Sequence, residues 1–331
     1  PQLRRGRHPR RGMTVPTGPD RLAERARWLE LVLGVNQWSK GGERAPHKPL
    51  LLLYALGRLQ RTGSSASSYV DAEELLGRLL VDFGRPGQKP TSAHPFVRLG
   101  HDHEGALWTL SYDGQIGVDG PRDTKGWLRD HHARGAFSAE FERALLADPG
   151  LVALIGRALL EEHFAPSLHE DICATAGLDL EAAELEVLAS RVTELPARRR
   201  DPEFRRQVLV AYEFRCAMCG YDGRLGADAV GLDAAHIRWW AFDGPDTVDN
   251  GLCLCTFHHK LLDRGVLGVN DSHRVTVSEQ FVATGPSAGM LVFDLLGRPI
   301  QEPQRGKPSP AGDHLTWHLT QVFRGPSRVP A

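Results

Sequence analysis

The sequence has little of what would place it in a membrane. Its longest apolar run, Leu50 to Leu56, is seven residues, against roughly 18 for a helix that crosses a bilayer, so no membrane partner is expected. Five arginines lie among residues 4 to 11 with no apolar stretch behind them, so this basic start does not read as a secretory leader. Cysteine is scarce: five in 331 residues, four of them between 216 and 255. An odd, clustered set argues against a disulfide framework and for a metal site in a reducing, cytoplasmic setting. Aromatics make up only 7%, yet 41% of the chain is apolar and 24% charged. Those values lie near the globular averages of roughly 45–50% and 25% and exclude wholesale disorder. At roughly 100 to 200 residues per domain, the length suits two domains.

Net charge is also nearly absent, at -1, which on its own would disfavour a polyanionic partner. The total hides a segregation along the chain. Residues 1–160 hold 23 Lys+Arg against 17 Asp+Glu, residues 161–194 one Arg against nine acids, and residues 196–331 hold 16 against 15. An acidic segment offsets a basic region, so nucleic acid stays a candidate partner.

Residues 1–19, rich in Pro, Gly and Arg without period, read as a flexible basic arm. From Asp20, an expected N-cap, Leu22, Ala26, Leu29, Val32 and Leu33 recur at helical spacing and predict a helix ending near Gly34. Pro49 opens an apolar run where its missing N–H is tolerated, predicting a buried helix to about Arg61. The serine-rich Gly63–Ser68 is a loop, and Leu75, Leu76, Leu79 and Leu80 share one face of a third helix from Asp71. Two β-prone runs, Phe96–Leu99 and Leu107–Leu110, flank the turn-forming HDHEGA and predict a β-hairpin.

These elements describe an α+β, multidomain chain whose N-terminal domain, over 20–165, is mainly helical and winged-helix-like. Ser138, Pro149–Phe164 and the acidic Leu178–Leu195 predict further helices, the last within a helical connector over 166–199. The string from Pro196 to Pro202 marks the boundary to a domain over 200–331.

That last domain carries the chemistry. Cys216-Ala217-Met218-Cys219 is a C-x2-C knuckle, and 36 residues beyond Cys219 comes Cys255-Thr256-Phe257-His258. Two close ligand pairs separated by a loop suit tetrahedral Zn(II), because each short turn aims two side chains at one point. Cys216, Cys219, Cys255 and His258 are therefore assigned to a structural zinc. Cys253 competes, since in a strand it shares a face with Cys255, but it lacks a second ligand at knuckle spacing.

Between the pairs lie Asp233-Ala234-Ala235-His236-Ile237 and Asn250-Gly251-Leu252, and His259 follows the zinc histidine directly. Over Phe204 to Gly265 this order resembles the zinc-containing HNH (ββα-metal) nucleases. The resemblance implies a strand carrying His236, a second strand or loop carrying Asn250 and a short helix carrying His259, gathered at one divalent cation, Mg(II) or Mn(II). His236, with an ordinary imidazole pKa near 6.5, becomes the candidate general base and His259 the candidate cation ligand. Asn250 either orients His236 or reaches the metal. Where many HNH enzymes have an acid or a second histidine before the base, this chain has Ala235, so Asp233 or Asp263 is expected to complete the shell.

Upstream, Arg44, His47 and Lys48 sit just ahead of a helix start, where side chains and backbone N–H groups can converge on a phosphate. With Ser92-Ala93-His94-Pro95-Phe96 and Leu107-Trp108, this region resembles the sulfur-binding domains of McrA-type, type IV restriction endonucleases over roughly residues 21–160. Those enzymes act on phosphorothioate DNA. Sulfur is larger, softer and less hydrated than oxygen, so a shallow apolar pocket can prefer it. Ala93, His94 and Pro95 are the expected pocket wall, with His94 standing where relatives often carry an aromatic, and Arg44, His47 and Lys48 the expected phosphate contacts.

The resemblance implies a modification-dependent endonuclease of double-stranded DNA. Two rivals remain: an HNH nuclease that reads methylated or hydroxymethylated cytosine, or no modification, and a zinc-stabilised DNA-binding protein without catalysis. Because one HNH site cuts one strand at a time, a homodimer is expected, paired through a connector bearing Leu178, Leu185 and Leu188.

Overall fold

The computed structural model describes residues 18–36, 45–86, 91–114, 121–181 and 202–329. Most of the basic arm, Arg44, Leu185, Leu188 and the boundary string before Pro202 lie outside the described residues. Helix α1, Gly18–Leu33, starts two residues ahead of Asp20, which falls in its first turn. Helix α2, His47–Thr62, is the centre of the N-terminal core, with Leu50 to Leu56 all buried. Helix α3, Tyr69–Phe83, is capped by Ser68, whose hydroxyl accepts from the Asp71 N–H at 3.1 Å; such a cap contributes about 1 kcal/mol.

The expected hairpin is not formed. Its first half lies in helix α4, Ala93–Arg98, because Pro95 occupies the opening turn, where a missing N–H costs nothing, and Phe96 is drawn into the core. Its ring meets Tyr69 edge-on at 5.1 Å and Trp108 at 5.6 Å, while the Trp108 indole donates to the Phe96 carbonyl at 2.9 Å. Packing of this kind outweighs the β-propensity of Phe and Val. Residues 99–105 turn as 3-10 helix, kinked where His103 (φ 46°) and Glu104 (φ 55°) take left-handed backbone.

The second half is strand β2, Trp108–Ser111, which pairs antiparallel with β3, Arg134–Phe137. Strand β3 also pairs with the two-residue β1, Ser67–Ser68, giving the order β1-β3-β2. Gly135 permits this: a Cβ there would run into the Trp108 ring.

Helix α5, Lys125–Asp130, and helix α6, Ala139–Ala147, follow, the latter capped by Ser138. Helix α7, Pro149–His163, and helix α8, His169–Ala176, complete the first cluster. Leu178 and Leu180 are buried against it.

The second hydrophobic cluster belongs to residues 204–315. Helix α9, Pro202–Ala211, leads to the cysteine knuckle and to a small exposed ribbon, β4 (Arg224–Leu225) with β5 (Asp228–Ala229). Strand β6, Leu232–His236, then pairs antiparallel with β7, Gly251–Cys255, in the register Leu232 to Cys255 through His236 to Gly251. Helix α10, Thr256–Asp263, follows at once, completing a ββα unit. Strands β8 (Leu267–Val269) and β9 (Val275–Val277), then helices α11 (Pro286–Leu291) and α12 (Gly312–Gln321), close it.

The two clusters touch. Trp239, Trp317 and Val322 pack into the first, the Arg264 guanidinium lies over the Phe83 ring at 4.7 Å, and Arg324 donates to the Asp82 carbonyl at 2.8 Å.

Candidate active site

The knuckle and the start of α10 bring Cys216, Cys219, Cys255 and His258 together, with one ligand atom from each all within 4.8 Å of one another. The His258 Nδ1 lies 3.2 Å from the Cys255 sulfur and 3.6 Å from that of Cys216. Its Nε2 lies 2.8 Å from the Leu291 carbonyl, which fixes the tautomer that presents Nδ1 to a metal. Three sulfurs and one imidazole so arranged fit Zn(II). Cys253 is not among the clustered ligand atoms, and burial pushes its thiol up to about 12.

His236 ends β6 with its Nε2 2.7 Å from the Asp246 carboxylate, and its ring stacks on Phe204 at 4.1 Å. Gly251, opposite His236 in the sheet, makes room for this stack, since a Cβ there would strike Val208 and Phe204. Asn250 is fully buried and takes neither of its expected positions. Its amide oxygen accepts from the Arg238 N–H at 2.8 Å, and its nitrogen donates to the carbonyls of Arg238 and Pro245, both at 3.0 Å. It staples the chain leaving His236 to the loop that carries Asp246.

His259, on α10, lies between two carboxylates. Asp233 approaches Nδ1 at 3.4 Å and Asp263 approaches Nε2 at 3.2 Å. Burial opposes the charged imidazole, but Asp263 and then Asp233 outweigh it and raise His259 to about 10. Asp263 is itself buried, and it accepts from Ser167 at 2.5 Å and from the Trp239 indole at 3.1 Å. The two acids thus stand on opposite ring nitrogens. Only Asp233 shares a side with Nδ1, so His259 Nδ1 and Asp233 could hold one cation, with the remaining positions open to water and phosphate oxygens, as suits Mg(II). Asp263 orients the ring from behind. His236, His259 and Asp263 line one narrow cleft with Ala234, Trp239 and Trp240.

In the N-terminal domain, His47 is the first residue of α2 and His94 the second of α4. Burial, then the nearby charge of His94, lowers the His47 pKa. Lys48 pairs with the buried Asp102 at 2.5 Å, so its charge is already matched within the fold. His94 is exposed and lies 3.9 Å from Asp123. Pro95 is buried and Ala93 wholly so, because both face the core from the first turn of α4.

Residues 25–181 match the family described as ScoMcrA-like DNA sulfur-binding domain, and residues 216–270 match an HNH endonuclease family. The chain joins a sulfur-binding domain to an HNH endonuclease domain. No curated protein matches it. Among solved structures, the sulfur-binding domain of SprMcrA complexed with phosphorothioated DNA is 24% identical, with 48% of this chain and 96% of that one covered and a TM-score of 0.40. The corresponding domain of ScoMcrA is 18% identical, covering 47% and 97%, again at 0.40. The modification-dependent TagI restriction endonuclease is 26% identical over 41% of this chain and 42% of its own, at 0.28.

Three residues of the HNH centre carried no local signal in the sequence. Asp246 lies ten positions beyond His236 in an ordinary turn, and Trp239 looks like core. Ser167 belongs to the sulfur-binding match, 92 positions before His259. Among the described residues no helix is long and apolar enough to cross a membrane.

Proposed function

We propose that the protein binds phosphorothioated double-stranded DNA through its N-terminal domain, which by the extent of the family match runs past residue 165 to 181, and hydrolyses a phosphodiester nearby through an HNH domain over 200–331. The observation that carries the nuclease reading is the pair His236 and His259 on one cleft, each held by its own carboxylate. With Nε2–H donating to Asp246, the nitrogen of His236 that accepts a proton is Nδ1. His236 takes the proton of the attacking water, and Asp246 stabilises the imidazolium that forms. A divalent cation, Mg(II) or Mn(II), supplies charge neutralisation at the scissile phosphate. His259 and Asp233 hold it, Asp263 fixes the His259 ring, and Asn250 keeps the loop of Asp246 in place. Zinc on the three cysteines and His258 stabilises the fold.

The sulfur reading rests on the family match. Arg44, which lies outside the described residues, and His47 and Lys48 at the start of α2 are the expected phosphate contacts, Lys48 being already neutralised by Asp102, and exposed His94 forms the rim that would meet sulfur, with buried Pro95 beneath it. Ala93 backs this rim from the core. A homodimer would let two sites serve the two strands, but Leu178, expected in the pairing surface, is instead buried in the chain's own first cluster.

Nicking of plasmid DNA with Mg(II) or Mn(II) by wild type and H236A tests the reaction. The expected result is metal-dependent nicking that H236A lacks; equal nicking by both proteins would refute the assignment of the base.

A further inference from the structure

The hydrogen bonds that orient His259 do not stay within the HNH domain. Ser167 lies in a 3-10 turn, Pro166–Leu168, between α7 and α8, inside the segment that matches the sulfur-binding family. Its hydroxyl donates to Asp263 at 2.5 Å, on the same Oδ2 that faces His259 Nε2 at 3.2 Å. The contact is clamped from both sides. Lys260, next to His259, donates to the Ser167 carbonyl and pairs with Asp171 at 2.9 Å. Phe164, Ala165 and Pro166 then supply one wall of the cleft that holds His236 and His259.

We infer that the nuclease centre is shared between the two domains, with Ser167 a positioning residue through which the sulfur-binding domain sets the His259 ring for its cation. This deepens the nuclease reading and rests on it. Asp263 is almost without solvent and needs hydrogen-bond donors for both oxygens. Trp239 serves Oδ1 from the HNH side, and Ser167 serves Oδ2 from the sulfur-binding side. Without the Ser167 hydroxyl the carboxylate can turn, and the imidazole it holds loses its fixed direction. A displacement of the 164–171 segment when the sulfur-binding domain engages DNA would be felt at His259 without any change in the HNH sequence. The HNH domain alone therefore has an incomplete centre.

The test uses the full chain, loaded with zinc, and four variants: S167A, S167T, D263N and the double variant S167A/D263N. Mn(II) binding is followed by electron paramagnetic resonance, and plasmid nicking and phosphorothioate-duplex binding are measured on the same samples. S167A is expected to weaken Mn(II) binding by about 10- to 100-fold, the usual effect of removing a group that orients a metal-binding histidine. S167T, which keeps the hydroxyl, restores binding to within a few fold, and duplex binding by the sulfur-binding domain stays unchanged. Because Ser167 acts through Asp263, the losses in S167A and D263N do not add in the double variant.

Wild-type Mn(II) affinity in S167A overturns the inference. So does an equal loss in S167A and S167T, which would indicate packing, or strictly additive losses. If D263N fails to fold, the comparison of S167A with S167T decides alone. A wild-type protein that binds Mn(II) but never nicks DNA removes the nuclease reading, while the Mn(II) titration still decides the role of Ser167.

Discussion

Replacing Asp246 by alanine tests the arrangement at the base without touching the base itself. The His236 Nε2 to Asp246 distance is 2.7 Å, and the two side chains are 12% and 22% exposed, so the pair is largely shielded from water. A hydrogen bond to a charged partner is worth about 1.5–3 kcal/mol, and about 1.4 kcal/mol is a factor of ten in rate. The bond strengthens as His236 gains its proton, so its loss falls on the chemical step. The expected effect of D246A is a kcat lower by about 10- to 100-fold with DNA affinity unchanged.

D246N keeps an oxygen that accepts from Nε2–H but removes the charge, and a neutral hydrogen bond worth about 1 kcal/mol remains, so its loss should be the smaller of the two. Single-turnover nicking at saturating Mn(II), with binding measured separately by fluorescence anisotropy, reads both numbers. A wild-type nicking rate in D246A, or a loss confined to DNA binding, would refute the reasoning.

Other expectations follow from the same geometry. H236A should abolish cleavage, losing about 10²- to 10⁴-fold in rate, while binding of modified duplexes stays within a few fold; parallel losses would contradict the division of labour. C216A should remove one of four zinc ligands and with it the cooperative melting of the HNH domain seen by calorimetry, since metal binding there is folding free energy. N250A leaves three backbone groups around a fully buried site without partners, and about 1–3 kcal/mol for each such group predicts a lowered melting temperature together with slower nicking. His47 is held below the ordinary histidine value by burial and by His94, so it is neutral in the free protein near pH 7. A phosphate beside it favours the charged form, so the complex takes up a proton and affinity rises as pH falls below neutrality. Anisotropy titrations from pH 8 to pH 5.5 check this, and H47Q should flatten the dependence.

The parts of the site that were legible in the sequence are those whose spacing is set locally. Two residues between cysteines make a knuckle in nearly any context, and Asp233 and His236 lie on one short strand while His259 and Asp263 lie one turn apart on a helix. The partners Asp246, Trp239 and Ser167 come from separate stretches, and only the packing of the Pro166–Leu168 turn against α10 brings Ser167 near. The expected hairpin failed for a similar reason. Phe96 and Val97 favour strand locally, but Tyr69 and Trp108 enclose Phe96 as part of a helix, and the true partner of β2 lies 23 residues beyond Ser111, at Arg134. Asn250 was expected to orient His236 or to reach the metal, yet its partners are backbone groups that no pattern of side chains reveals.

The central claim is that one chain reads sulfur on a phosphate and cuts the DNA that carries it. Three matched duplexes test it most directly: one unmodified, and one for each diastereomer of a single phosphorothioate, incubated with the full protein and Mn(II). A sulfur pocket on one side of the backbone would reach only one of the two non-bridging positions. The account predicts tight binding and cleavage for one diastereomer and little of either for the other two duplexes. Equal binding and equal cleavage of all three would contradict it.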